Sequence, residues 1–311
     1  MKLLIFDDYE AMSAFGAQLV ARRINNALGQ RKVTAGEANV PNGRPLYSVG
    51  LPTGGTPLGM YRKLTEVHKA GQLSFANVGT FNMDEYVGIP RNHPHSYHTF
   101  MFSNFSRHID IDPSNVWFCL SATNFAPPPP PHGNAVDLNA ECANYERSIA
   151  SAGCIDLFVS GIGSDGHIAF NEPGSIFISP QSRTRVQSLD PETIAANARF
   201  FDGDRSRVPR RAITVGVGTI MEAKEVLLLV NGAHKARALR AALEKGISHM
   251  CTASALQQHP NCVWLVDEDA TMELKVKTVK YWKSQHEENV RELLGEGEAT
   301  DQSRSQISRK G

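Results

Sequence analysis

Leu46-Tyr47-Ser48-Val49-Gly50-Leu51-Pro52-Thr53-Gly54-Gly55-Thr56-Pro57 reads as an apolar strand running into a glycine-rich turn. Pro57 fits a first helical turn, and a helical pattern follows over Leu58–Lys69. The next apolar run, Val78–Phe81, closes a strand-helix-strand unit. The same rhythm extends in both directions, with strands expected at Leu3–Phe6, Val116–Leu120, Ile155–Ser160, Ala212–Val217, Val226–Val230 and Cys262–Val266. Helical stretches fill most of the intervals, so the chain predicts an α/β fold around a mainly parallel sheet.

Composition narrows the class. The 311 residues are 41% apolar and carry a formal net charge of zero, enough for one large core or two smaller ones. No overall basic excess offers itself to a nucleic-acid backbone. The five cysteines contain no C-x-x-C pair and suit a reduced, intracellular compartment better than a disulfide framework. Met1–Phe6 is too short for a signal-peptide core, and no segment approaches the roughly 20 apolar residues of a membrane span. Fixed-period repeats are absent from the sequence, which argues against a solenoid or propeller. Five consecutive prolines within Phe125–His132 predict an exposed polyproline loop, either a tolerated insertion or a docking point for a proline-binding module. Residues 295–311 form a polar tail expected to be disordered.

In an open α/β sheet, ligands bind outside the carboxyl ends of the strands, so polar groups just past an apolar run are the candidates for chemistry. Asp84 follows one run; Asp165, His167 and Glu172 follow another. These acids and one imidazole suffice for proton transfer without a cofactor. Asp165, His167 and Glu172 are also a donor set a metal can use, and spacing alone does not decide between that and a histidine oriented by carboxylates. The cluster His93-Pro94-His95-Ser96-Tyr97-His98 lacks a matching ligand set and reads as a turn entering a helix at Ser96–Arg107.

The turn Thr53-Gly54-Gly55-Thr56 has the makings of a phosphate cradle, with backbone N–H groups before a helix and two hydroxyls, yet it lacks the Gly-Lys-Ser/Thr ending of a nucleotide loop. Its plainer reading is a tight strand-to-helix turn. Gly161-Ile162-Gly163-Ser164-Asp165-Gly166 matches G-x-G-x-x-G in form, but Pro173 and Gly174 interrupt where a dinucleotide fingerprint must open a helix. Arg199 and Lys235 add cations suited to gripping phosphate.

Taken together, Leu-Pro-Thr-Gly-Gly-Thr-Pro (51–57), Phe-Asn-Met-Asp-Glu-Tyr-Val-Gly (81–88), Asp-Gly-His-Ile-Ala-Phe-Asn-Glu-Pro (165–173), Ser-Arg-Thr-Arg (182–185), Ile-Thr-Val-Gly-Val-Gly-Thr (213–219) and Met-Glu-Leu-Lys-Val-Lys-Thr (272–278) resemble the glucosamine-6-phosphate deaminase family, with similarity from Met1 to about Trp282. The resemblance implies one Rossmann-like, doubly wound α/β catalytic domain over residues 1–294, with a lid at roughly 188–211. It implies a cytoplasmic homohexamer that converts glucosamine 6-phosphate and water to fructose 6-phosphate and ammonia in N-acetylglucosamine catabolism. No metal or organic cofactor, nucleic acid or membrane is implied.

By the family pattern Asp84 moves a proton between C2 and C1, and His167 handles the ring oxygen, supported by Asp165 and Glu172. Thr53, Gly54, Gly55, Thr56, Glu85, Arg199 and Lys235 would bind substrate. Many members also carry an activating site for N-acetylglucosamine 6-phosphate at a subunit interface, where Met1, Ser175, Arg185 and Tyr281 stand in register. Here Gln187 replaces the usual lysine, and Ile176–Ser182 is about three residues longer than the pattern. Cys251 stands where relatives often have tryptophan. Two other readings keep the phosphate turn: a related lactonase or pentose-phosphate isomerase, and a non-catalytic sugar-phosphate sensor.

Overall fold

A computed structural model of the chain describes residues 1–34, 45–120, 136–174 and 181–295. The chain runs β1 (Lys2–Phe6), α1 (Tyr9–Thr34), β2 (Tyr47–Leu51), α2 (Leu58–Lys69), β3 (Val78–Asn82), β4 (Asp84–Tyr86), α3 (Tyr97–Asn104) and β5 (Val116–Trp117). It continues with α4 (Leu138–Ala152), β6 (Leu157–Gly161), β7 (Arg185–Ser188), α5 (Pro191–Asn197), β8 (Arg211–Thr214), α6 (Val217–Met221), β9 (Glu225–Val230), α7 (Ala236–Glu244), β10 (Cys262–Asp267), α8 (Val276–Ser284) and α9 (His286–Leu294).

Seven strands form one sheet in the order β1-β10-β9-β6-β2-β3-β5, every pair parallel. Period-two side-chain alternation explains why these strands read as unbroken apolar runs. Val226, Leu228 and Val230 of β9 enter a core on one face, while Leu227 and Leu229 enter a core on the other. In β10, Trp264 and Val266 face the first core and Val263 and Leu265 the second. Both faces are thus dry, as helix-covered parallel sheets require. Helices α1, α2, α3 and α9 cover the second face through residues such as Met12, Met60, Met101 and Leu293; α4 and α7 cover the first through Tyr145 and Leu239. The expected doubly wound, mainly parallel architecture is what the chain forms.

Strand order reverses at β2. From there the chain steps outward through β3 to β5, whereas from β6 it steps the other way through β9 to β10. β2 and β6 pair only at Val49↔Leu157 and Gly50↔Phe158, yet β6 continues to Gly161. Their carboxyl ends therefore part, opening a crevice at the topological switch point.

A second sheet, β4-β8-β7, is antiparallel. Ala212–Val217 was expected as a single strand of the large sheet, but β8 ends at Thr214 and pairs in the small one. Gly216 lies against the Ser182 backbone, where a Cβ would meet Ser182 carbonyl atoms at 2.4 Å, and Val217 already begins α6. The strand expected at Val116–Leu120 spans only Val116–Trp117. Near the C-terminus two helices, α8 and α9, meet at Gln285.

Residues 188–211 hang between β7 and β8 and carry α5. They pack on a small separate core of Tyr86, Ile89, Phe170, Leu189, Ala198, Phe201, Val208 and Ala212. The proline run, Ser175, most of the Ile176–Ser182 stretch and the tail beyond Gly295 lie outside the described residues. No described helix is long and apolar enough to cross a membrane.

Candidate active site

A cleft of about 500 Å³ opens at the carboxyl ends of β2, β6 and β9, roofed by the segment that carries α5. Thr53, Gly54, Gly55 and Thr56 line it from β2, Asp84 and Tyr86 from β4, and Asp165 and His167 from the loop after β6. Asn231, His234 and Lys235 enter from β9, Arg199 from the roof. Most of the candidates the sequence singled out for chemistry therefore share one cavity.

Gly54 has a φ of +99°, a left-handed conformation that lets the chain reverse between β2 and α2. Tyr9, at the start of α1, pins that reversal: its hydroxyl lies 3.1 Å from the Gly55 and Thr56 carbonyls and accepts the Gly59 N–H at 2.7 Å. No motif announces Tyr9. Removing its hydroxyl leaves the part-buried Gly59 N–H unpaired, a cost of about 1–3 kcal/mol. Tyr9→Phe is accordingly expected to melt below wild type in calorimetry; superimposable melts would remove Tyr9 from the support of the turn.

Thr56 Oγ1 donates to Asn231 Oδ1 at 2.7 Å, so its hydroxyl proton is committed across the cleft and not offered to an anion in this arrangement. Asn231 itself was missed by the sequence reading, although its position immediately past β9 is the signal that exposes strand-end residues. Lys235 caps α7, and the turn ahead of it is fixed by Asp267, whose carboxylate accepts the Gly232 N–H at 2.9 and 3.0 Å. Burial, joined by the Arg199 charge and opposed by Asp165, lowers the Lys235 pKa. Arg199 lies over the Phe200 ring at 4.6 Å.

The loop after β6 opens no helix, which disposes of a dinucleotide fingerprint. It folds on itself through Gly163 N–H to the His167 carbonyl at 2.8 Å and Gly166 N–H to the Gly163 carbonyl at 3.1 Å. His167 Nδ1 sits 2.8 Å from Asp165 Oδ1, an ion-pair approach without the alignment of a straight hydrogen bond. Asp165 Oδ1 also accepts the His167 backbone N–H at 3.1 Å. Burial raises the Asp165 pKa, but its interactions with His167 outweigh that and hold it below the ordinary value. Next along, Ala169 adopts φ +51°, a strained geometry. It is locked by the Phe170 N–H on Thr214 Oγ1 at 3.0 Å and by Asn171, whose amide bonds the Ile168 and Val215 carbonyls.

Glu172 does not line the cleft. It is 5% exposed, and its Oε2 accepts the N–H of Asp190, the cap of α5. Burial raises its pKa against hydrogen bonds from Thr193 and Asp190 and the charge of His167. Glu172 thus ties the roof segment to the loop that bears His167.

Asp84 is 6% exposed, and burial first, then the charge of Glu85, pushes its pKa well up. Glu85 departs from the substrate-binding role the family pattern gave it: it is fully buried, does not line the cleft, and spends both oxygens on backbone N–H groups. The reason is strand alternation. Along β4, Asp84 and Tyr86 face the cleft and Glu85 faces the other way.

Three of the residues in register with an activator site are described. Met1 is at the amino-terminal edge of the large sheet, Arg185 on β7 donates to Asn171 Oδ1 at 2.8 Å, and Tyr281 is 57% exposed on α8. Gln187 donates to the Ser188 carbonyl at 3.0 Å. The histidine cluster supplies Ser96 as the cap of α3, and His95 lines the cleft beside Phe201.

A family model described as glucosamine-6-phosphate isomerases/6-phosphogluconolactonase matches residues 7–264. Glucosamine-6-phosphate deaminase 2 of Homo sapiens is 54% identical over 283 residues, covering 91% of this chain and 93% of the relative. Glucosamine-6-phosphate deaminase 1 of Homo sapiens is also 54% identical, covering 91% of this chain and 89% of the relative. Among solved structures, a monomeric glucosamine-6-phosphate deaminase superposes with a TM-score of 0.73 at 39% identity, covering 88% of this chain and all (100%) of its own. The 6-phosphogluconolactonase of Trypanosoma brucei shares the fold at a TM-score of 0.62 and 18% identity, covering 88% of this chain and 98% of its own.

Proposed function

Since this chain belongs to the glucosamine-6-phosphate isomerase/6-phosphogluconolactonase family, we propose that it converts glucosamine 6-phosphate and water to fructose 6-phosphate and ammonia. The observation that carries the reading is that two separate acid–base centres, Asp84 and the Asp165–His167 pair, face one cleft with a phosphate-type turn and two cations.

The chemistry asks for both centres. Opening the pyranose requires a proton to travel between the C1 hydroxyl and the ring oxygen, work suited to an imidazole held by a carboxylate. The aldehyde so formed acidifies the C2 proton, which carboxylate Asp84 takes. Returned to C1, that proton leaves an imine at C2 as the amino group gives one of its own protons to the C1 oxygen; water adds at C2, the C–N bond breaks and ammonia departs, leaving the C2 carbonyl. The net change is hydrolysis of a C–N bond coupled to an aldose-to-ketose shift. A carboxylate whose pKa is raised by burial both accepts the proton and hands it back readily. Gly54, Gly55 and Thr56 with Lys235 and Arg199 would hold the 6-phosphate, and neither metal nor organic cofactor takes part.

On this reading residues 1–294 act as one catalytic domain, with 188–211 serving as a lid over the cleft. We further propose a cytoplasmic homohexamer acting in N-acetylglucosamine breakdown, with Met1, Ser175, Arg185 and Tyr281 meeting N-acetylglucosamine 6-phosphate at a subunit interface. Gln187 in place of a cation weakens the phosphate grip there.

The test follows fructose 6-phosphate and ammonia together after glucosamine 6-phosphate is added in the presence of EDTA. Equal release of both is expected. Ligand binding without turnover would turn the reading to a sensor.

A further inference from the structure

Glu85 combines three features no surface or substrate-binding carboxylate would share. It is 0% exposed, it adjoins Asp84 on β4, and it accepts three backbone N–H groups: Tyr86 at 2.9 Å and Tyr97 at 3.1 Å on Oε1, and His98 at 2.9 Å on Oε2. Tyr97 and His98 are the first two residues of α3, whose amino end has N–H groups with no partner inside the helix. Ser96 Oγ takes the next, that of Thr99, at 3.0 Å. The side chain of Glu85, twelve residues before Tyr97, therefore completes the cap of α3; burial outweighs those bonds and raises its pKa to about 7, and once ionised its charge meets the positive end of the helix dipole.

What the clamp joins matters for the cleft. Tyr97 lines the cavity, and its ring packs on Tyr86 at 4.9 Å and Phe170 at 6.3 Å. β4 is only three residues long and, among the described residues, pairs with β8 alone, which leaves its outer side to contacts such as this one.

We propose that Glu85 is a positioning residue whose carboxylate clamps β4 to the amino end of α3 and so fixes Asp84 and Tyr97 in the cleft wall. This rests on the deaminase reading for its catalytic consequence. Its structural consequence stands apart from that reading.

Both arms are tested with Glu85→Gln, which keeps the shape but removes the charge and one acceptor. Hydrogen exchange followed by mass spectrometry over residues 92–104 is expected to run about tenfold faster in the variant. Unchanged exchange would overturn the clamp whatever the protein catalyses. In turnover of glucosamine 6-phosphate, kcat is expected to fall about tenfold or more with KM within about twofold. Glu85 itself carries charge only toward and above its raised pKa of about 7, and over that range the acid limb of the kcat profile should also move to lower pH, because the neighbouring charge that raises Asp84 is gone.

A purely structural defect would not move that limb. The other groups around the two acids, Tyr86, Tyr97, Tyr145 and Cys119, are kept neutral there by burial, and His98 is lowered to about 4. Should Glu85→Gln fail to fold, Glu85→Asp keeps the charge on a shorter arm. It is expected to lose kcat while keeping the wild-type limb, and wild-type kcat in that variant would overturn the proposal. Absence of turnover in wild type with fast exchange in Glu85→Gln would refute the deaminase reading and leave the clamp standing.

Discussion

Asp84→Asn is expected to lower kcat for glucosamine 6-phosphate by about 10²–10⁴-fold while leaving fructose 6-phosphate binding within about threefold. Asparagine fills the same space but cannot accept a proton. The backbone that presents it is unchanged, because Asp84 is held by its pairing with Thr214 across β4 and β8. Stability supplies a second readout. The folded Asp84 carboxyl titrates well above its ordinary value of 3.8. The folded state therefore holds this proton more tightly than the unfolded state, and the ionised group destabilises the fold once pH rises past the ordinary value toward the folded one. The variant should accordingly melt at or above wild type near neutral pH and lose that advantage in acid. Steady-state kinetics, equilibrium binding and melts at two pH values check all three; wild-type kcat in Asp84→Asn would remove it from the proton-transfer role.

Gly163→Ala should lower kcat by about a hundredfold with only a modest effect on melting. A Cβ at Gly163 would lie 2.4 Å from His167 Nδ1 and Cε1 and 2.5 Å from Asp165 Oδ1. Such approaches do not occur between real atoms, so the imidazole and carboxylate must swing away, and displacements near 1 Å in a reacting group cost on that order. The loop backbone has its own hydrogen bonds and the displaced side chains border the open cleft, which spares the core. If the variant kept full kcat, the orientation of His167 by Asp165 would not matter to the reaction.

The large sheet was legible because parallel strands buried on both faces leave a strong trace, runs such as Val226–Val230 and Cys262–Val266. The small sheet was not. Asp84-Glu85-Tyr86 and Arg185-Val186-Gln187-Ser188 are too short and too polar to stand out, and without β4 nothing in the sequence says which of Asp84 and Glu85 faces the cleft. Residues just past a strand were found by the carboxyl-end rule, hence Asp84, Asp165 and His167, while Thr53–Thr56 showed itself by its glycine turn before a helix and Lys235 by its charge. Tyr9 and the roof residues other than Arg199 reach the cleft through tertiary packing and leave no pattern along the chain.

The small core beneath the roof has a further consequence. Its members, Tyr86 and Phe201 among them, are distinct from those of the two cores flanking the large sheet, where Met83 belongs. Asp84 stands between Met83 and Tyr86, at the seam of two cores that β8 also bridges, Ile213 entering one and Ala212 the other. A change in the packing of either core therefore reaches the reacting carboxylate, so substitutions at Met83 and at Tyr86, which lie in different cores, bear on the same group.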